Sequence, residues 1–194
     1  GSKENTVHVW NASTGRRLHT LNGHTRSVNA LNFGPQGKYL VSGAKDQTVK
    51  LWDTSTGELV HSLEGHKNSV SAVSIDPKGR YVLSAGDDET AKVWGLATGE
   101  LVRTFDGHTE DPFMDDLYRL FFWGLMAVDP EGQFIVTTAM DKTIKVWDVE
   151  NGELLRTLEG HESILHALTL TSNGRYLVSG SRDKTAKVWD VQSG

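Results

Sequence analysis

Residues 23 to 53 read GHTRSVNALNFGPQGKYLVSGAKDQTVKLWD: a Gly-His pair, two short apolar runs, a turn holding a lone Asp, and a run that closes on Trp-Asp. The apolar residues alternate with polar ones at period two, as a strand requires, and Gly, Pro and Asp punctuate the gaps. The stretch predicts a first strand at Ser27–Phe33, a turn at Pro35 and Gly37, and a second strand at Lys38–Ser42. A turn over Ala44–Gln47 then leads to a third strand at Thr48–Trp52, with Val49 and Leu51 facing one way. Thr56-Gly57 makes the next hairpin, and Glu58–Leu63 is a fourth, outer strand that runs into the next Gly-His.

The phrase returns at Gly65-His66 to Trp94, Gly107-His108 to Trp147-Asp148, and Gly160-His161 to Trp189-Asp190. Trp falls at 10, 52, 94, 147 and 189, in steps of 42, 42, 53 and 42. A period in the forties opened by Gly-His and closed by Trp-Asp resembles the WD40 repeat of β-propellers, over nearly the whole chain. The resemblance implies an all-β WD40 β-propeller of four repeats plus one extra strand, forming a single domain over residues 1–194. It leaves function open, because this scaffold carries many unrelated activities.

Composition narrows the classes. Hydrophobic residues at 37% and charged residues at 23% fit a globular domain rich in turns. The chain shows neither a long apolar run nor a secretory pattern, so no membrane contact is expected and a cytoplasmic setting is. Zero Cys removes disulfides and thiolate metal sites. A net charge of -5 offers no basic footprint for nucleic acid or anionic lipid.

Ser2–Trp10 matches the third strand of a unit, and the last residues match the hairpin before a fourth strand. The expected content is therefore a third and fourth strand, three full units, then strands one to three. By the resemblance, Arg17–Leu21 would clasp the unit begun at Ile164–Trp189, leaving either Thr6–Trp10 or Thr185–Trp189 surplus. Three closures stand open: two chains making one eight-bladed ring as a homodimer, a tight four-bladed ring, or a portion of a longer propeller.

The resemblance further implies a buried hydrogen-bonded set in each unit. The matching residues are His24, Ser42, Asp46 and Trp52; His66, Ser84, Asp88 and Trp94; His108, Thr137, Asp141 and Trp147; and His161, Ser179, Asp183 and Trp189. Ser, His and Asp together invite a hydrolase reading. The set recurs in every unit, however, and no Gly-x-Ser-x-Gly elbow is present, so the sets read as staples and the chain as a non-enzyme. Glu4 replacing the Asp of the first unit and Gly95 replacing the one after Trp94 predict looser turns. His19 and His61 share an outer-strand position with Arg103 and Arg156, which reads as a solvated edge; no metal or cofactor is expected.

One step breaks the period. His66 stands four residues before Val70, whereas His108 stands fifteen before the aligned Trp123, an insertion of 11 residues between a fourth strand and the next first strand. Residues 110 to 124 read EDPFMDDLYRLFFWG. Asp111 suits an N-cap, Pro112 the first helical position, Asp115 and Asp116 the early turns, and Gly124 the stop. Phe113, Leu117 and Leu120 or Phe121 fall on one stripe, widened by Met114, Tyr118 and Phe122, and Trp123 follows. The pattern predicts a short helical insertion over 109–124, which the resemblance to WD40 propellers places on the ring face. Burying one such side chain gives about 1.5–3 kcal/mol, so something covers them: the chain's own body, a second copy, or a partner's groove. Leu117 to Phe121 resembles Leu-x-x-Leu-Leu docking helices. Arg26, Lys67 and Asn68 after the Gly-His pairs, and Lys45, Asp87, Met140 and Arg182 before the repeated Asp, vary where the frame is constant. With the insert they form the expected contact surface for a protein or peptide partner; self-assembly through ring closure is the alternative.

Overall fold

The computed structural model describes residues 5–109 and 125–194. Among the described residues five antiparallel sheets follow one another along the chain. The first holds only β1 (Val7–Trp10) and β2 (Arg17–Leu21). Next come β3 (Val28–Phe33), β4 (Tyr39–Ala44), β5 (Thr48–Asp53) and β6 (Leu59–Glu64). The third sheet is β7 (Val70–Ile75), β8 (Tyr81–Gly86), β9 (Thr90–Gly95) and β10 (Leu101–Asp106). The fourth is β11 (Met126–Val128), β12 (Phe134–Thr138), β13 (Ile144–Asp148) and β14 (Leu154–Leu158). The last is β15 (Leu165–Leu170), β16 (Tyr176–Ser181) and β17 (Ala186–Asp190). Strand content and order match the expected repeat, each boundary within about two residues. Among the described residues the only helical element is a 3-10 turn at Pro35–Gly37. The helix expected within residues 109–124 lies outside the described residues, apart from Thr109.

The third and fourth sheets are apolar on both faces because each is covered by a neighbour on both sides. Val41, Val49 and Leu51 of the second sheet pack on Val70, Val73, Ile75 and Val82 of the third. Leu83, Ala91 and Val93 pack in turn on Ile135 and Trp147. Val136, Ile144 and Val146 meet Leu165 and Leu177. Val7 and Leu21 cover Val28, Leu40 and Trp52 from the other side. The approach is close: a Cβ on Gly43 would lie 2.5 Å from Val70 Cγ1, which explains glycine inside a strand there.

Side chains on the fourth strands tie each sheet to the next hairpin. Arg103 Nε donates to Val149 O at 3.3 Å and Arg156 Nε to Val191 O at 2.9 Å. His61 Nε2 lies 3.2 Å from Ala97 O, over a glycine, Gly99, whose Cβ would meet the imidazole at 2.9 Å. The position read as a solvated edge is thus a strut between sheets, which is why it takes only long or planar polar side chains. The turn after Trp94 also departs from expectation. Gly99 N bonds Gly95 O at 2.8 Å, as Gly57 N bonds Asp53 O at 2.8 Å, so the backbone closes as tightly without the Asp. Only the side-chain bonds of Asp53 to Ser55 and Thr56 have no counterpart there. Glu4 lies outside the described residues.

The clasp is different from the sequence expectation. β2 pairs with β1, from Val7 opposite Leu21 to Trp10 opposite Arg17, and β15–β17 remain a three-stranded sheet. The nearest strand in sequence wins the fourth strand's edge.

Candidate functional site

The four polar sets assemble as the resemblance implies. Trp52 Nε1 donates to Ser42 Oγ at 2.9 Å, Ser42 Oγ is 2.7 Å from His24 Nε2, and His24 Nδ1 is 2.9 Å from Asp46 Oδ2. The corresponding distances are 2.9, 2.8 and 3.0 Å through Trp94, Ser84, His66 and Asp88. They are 2.8, 2.8 and 2.9 Å through Trp147, Thr137, His108 and Asp141. They are 2.8, 2.8 and 2.7 Å through Trp189, Ser179, His161 and Asp183. The indole N–H has only a donor to offer, so it occupies a lone pair of the hydroxyl; the hydroxyl hydrogen then turns to His Nε2, and Nδ1–H donates to the carboxylate. A Ser-His-Asp line is present, yet its hydroxyls at Ser42, Ser84 and Ser179 are wholly buried beneath an indole. No acyl group reaches them.

A fifth member was not anticipated. Thr48, Thr90, Thr143 and Thr185 each donate a side-chain hydroxyl to the Asp of their set, at 2.7, 2.9, 2.8 and 2.6 Å. The sequence signal was an Asp-x-Thr at every unit, with the middle residue (Gln47, Glu89, Lys142 or Lys184) at positive φ. These bonds shape the acidity of the carboxylates. At Asp141 burial pushes upward, but His108 and Thr143 outweigh it and hold the carboxyl at about 2. Asp88 is likewise held well below the usual range by His66, against burial. At Asp183 the Thr185 hydroxyl leads, opposed by burial and aided by His161. Burial pulls His24 down despite Asp46.

The sets rivet together two loops at one end of each sheet. The turn between second and third strands bonds back to the Gly-His loop through Lys45 N to Ser27 O at 2.9 Å, Asp87 N to Ser69 O at 2.8 Å and Arg182 N to Ile164 O at 3.0 Å. Arg26, Lys67, Asn68, Lys45 and Arg182 are therefore gathered at this end, all exposed. Asn68 Nδ2 donates to Asp87 O at 3.3 Å. Met140 is the exception: it is buried against Ile164, so it props the face from beneath instead of presenting a side chain on it.

Asp87 is half-buried here, with Oδ1 enclosed and without a hydrogen-bond partner. Burial raises its carboxyl to about 6, eased by the Ser69 and Ser71 hydroxyls and Lys45, and aggravated by Asp88. It borders a crevice between the third and fourth sheets, lined also by Thr90, His108, Thr137 and Met140, with room for about one water. Among the described residues no group of three or more His, Cys, Asp or Glu could hold a metal ion.

The insert joins this same end. Thr109 N donates to Asp141 Oδ2 at 3.2 Å on one side, and Leu125 N to Thr138 Oγ1 at 3.3 Å on the other. Phe113, Met114, Leu117, Tyr118, Leu120, Phe121, Phe122 and Trp123 lie outside the described residues.

A family model described as WD domain, G-beta repeat, matches residues 15–53, 57–95, 99–148 and 152–190. Over 47 residues the chain is 38% identical to mouse dynein assembly factor with WD repeat domains 1, covering 24% of this chain and 11% of that protein. Over 42 residues it is 43% identical to nuclear distribution protein PAC1 of Mycosarcoma maydis, 22% of this chain and 9% of the other. Over 39 residues it is 41% identical to general transcriptional corepressor TUP1 of Saccharomyces cerevisiae, 20% of this chain and 6% of the other. The matched stretches span about a tenth or less of the length of these curated relatives.

Proposed function

The chain belongs to the WD40 repeat family, and from that premise we propose that it is a non-enzymatic scaffold that binds a protein or peptide partner through the loop end carrying the apolar insert. The observation that carries the reading is the anchoring of both ends of the insertion, at Thr109 and Leu125, to the end where the variable loop residues also gather. Its acidic N-terminal half and the stripe of Phe113, Leu117, Leu120 and Phe121 support a short amphipathic helix offered to a groove. Arg26, Lys45, Lys67, Asp87 and Arg182 form a charged surround that sets partner choice more than affinity. The negative net charge argues for a protein partner over nucleic acid or membrane, in a cytoplasmic setting. Among the described residues no helix is long and apolar enough to cross a membrane.

The test is partner capture, followed by affinity measurement on the isolated partner. Replacing Leu117→Asp together with Phe121→Asp should weaken binding at least tenfold and leave the unfolding midpoint in place. Undiminished binding, or loss of folding in both this variant and a deletion of residues 113–122, contradicts the reading. A second reading is favoured by a specific observation: Leu31, Phe33 and Val188 are exposed large apolar residues on sheet faces that are covered elsewhere in the molecule. On that reading the chain is a half-ring whose function is ring-closing homodimerisation, two copies making eight blades.

A further inference from the structure

Two open faces of this chain carry the residue places of an interface that it builds repeatedly within itself. Leu31 and Phe33 on β3 stand opposite Ser42 and Leu40, as Val73 and Ile75 on β7 stand opposite Ser84 and Val82. Val73 and Ile75 are buried on Val41, Val49 and Leu51 of the preceding sheet. The counterparts Leu31 and Phe33 border an open groove with Val7, Val9, Trp10 and Leu40. At the other extreme, Val178 on β16 and Ala186 and Val188 on β17 hold the register places of Val41, Val49 and Leu51. Val188 is 70% exposed, against a fully buried Leu51.

β2 already sits as a finished fourth strand: Leu21 is buried like Leu63, and His19 packs over Gly57 as His61 packs over Gly99. β1 is an unfinished third strand. Its Trp10 is 56% exposed. Trp189, at the same place in β17, is fastened through Ser179 and His161 to Asp183. Two third-strand lysines reach a hydroxyl directly across on the fourth strand, Lys50 Nζ to Ser62 Oγ at 2.8 Å and Lys92 Nζ to Thr104 Oγ1 at 3.1 Å. Lys187 stands at that place in β17, and Thr20 in β2, where it now faces His8.

We propose that β15–β17 of a second copy of this chain fill the groove beside β3, with β17 displacing β1 from the edge of β2. This rests on the ring-closing reading and decides which strand gives way. The occupant follows from continuity with the internal interfaces: the same residue places, the same antiparallel register and the same Lys-to-hydroxyl pairing, now Lys187 to Thr20. β1 swings aside on the exposed turn at residues 11–16, keeping its covalent link to β2.

The chain has no Cys, so engineered pairs report pairing directly. Light scattering should give twice 21.4 kDa. A short bismaleimide should join Thr20→Cys/Lys187→Cys chains into covalent dimers and leave Thr20→Cys/His8→Cys chains unjoined internally. Val188→Glu, at an exposed site, should raise the dimer dissociation constant at least tenfold and leave the unfolding midpoint of the dilute single chain unchanged. A dimer in which the thiols introduced at positions 8 and 20 are joined within each chain overturns the strand exchange and leaves ring closure standing. Joining of positions 20 and 187 within one chain overturns the second copy. A monomer at all concentrations overturns both.

Discussion

Ile75 and Phe33 occupy the same place in consecutive sheets, one opposite Val82 and the other opposite Leu40. Ile75 is 5% exposed and Phe33 is 55% exposed. Nothing in their own strands accounts for the difference. Ile75 has a four-stranded sheet before it, whereas Phe33 has only β1 and β2. Tryptophan shows the same contrast: Trp52 is 2% exposed, with its N–H on a buried serine, and Trp10 is mostly in solvent. In this architecture burial belongs to the neighbour as much as to the residue, because a sheet covers one face of the next and cannot cover its own.

The largest break of that comparison comes from truncating equivalent tryptophans. Trp94→Ala empties a fully enclosed site and removes the indole donor from Ser84 Oγ, and should cost about 3–5 kcal/mol in urea unfolding. Trp10→Ala should stay within about 0.5 kcal/mol. Equal losses would mean that the first sheet is as well covered as the third.

A smaller effect separates two adjacent carboxylates of one turn. Asp88 is held below its ordinary value, so it adds stability above about pH 4 that is lost as pH falls through its folded value. Asp87 is raised to about 6, so its charge is a penalty above that pH which disappears on acidification toward 4. Asp88→Asn should therefore destabilise at pH 7 by about 1–3 kcal/mol. Asp87→Asn should stabilise at pH 7 by about 1 kcal/mol, discounted for partial solvent contact, with the gain fading by about pH 4. Chemical denaturation across that range checks both signs; a destabilising Asp87→Asn at pH 7 would mean that the Ser69 and Ser71 hydroxyls and Lys45 outweigh the burial of the charge.

Much of this was legible in the chain. Period two within strands and a period of 42 between tryptophans decided strand count and order, because both periods reflect backbone geometry. The His, Ser or Thr, Asp and Trp sets were legible as a repeated combination, and the hydroxyls of Thr48, Thr90, Thr143 and Thr185 were equally visible yet hidden by their ordinary role as strand openers. Other features depend on distances between sheets that spacing along the chain does not encode. Met140 sits in a turn where its counterparts are charged, and only the proximity of Ile164 buries it. His61 reads as a surface residue until the next hairpin comes within 3.2 Å. The pairing of β2 was a choice between two near-copies of one strand, Thr6–Trp10 and Thr185–Trp189, which pattern alone leaves degenerate.

Amide hydrogen exchange followed strand by strand over a range of chain concentrations tests most directly whether neighbours govern the order of each sheet. β8, β9, β12 and β13 should be the slowest strands at every dilution, and β1 should exchange at least a hundredfold faster throughout. β17 should pass from fast to slow as copies associate. Protection of β1 and β17 equal to that of β9 at the lowest concentration would contradict the account.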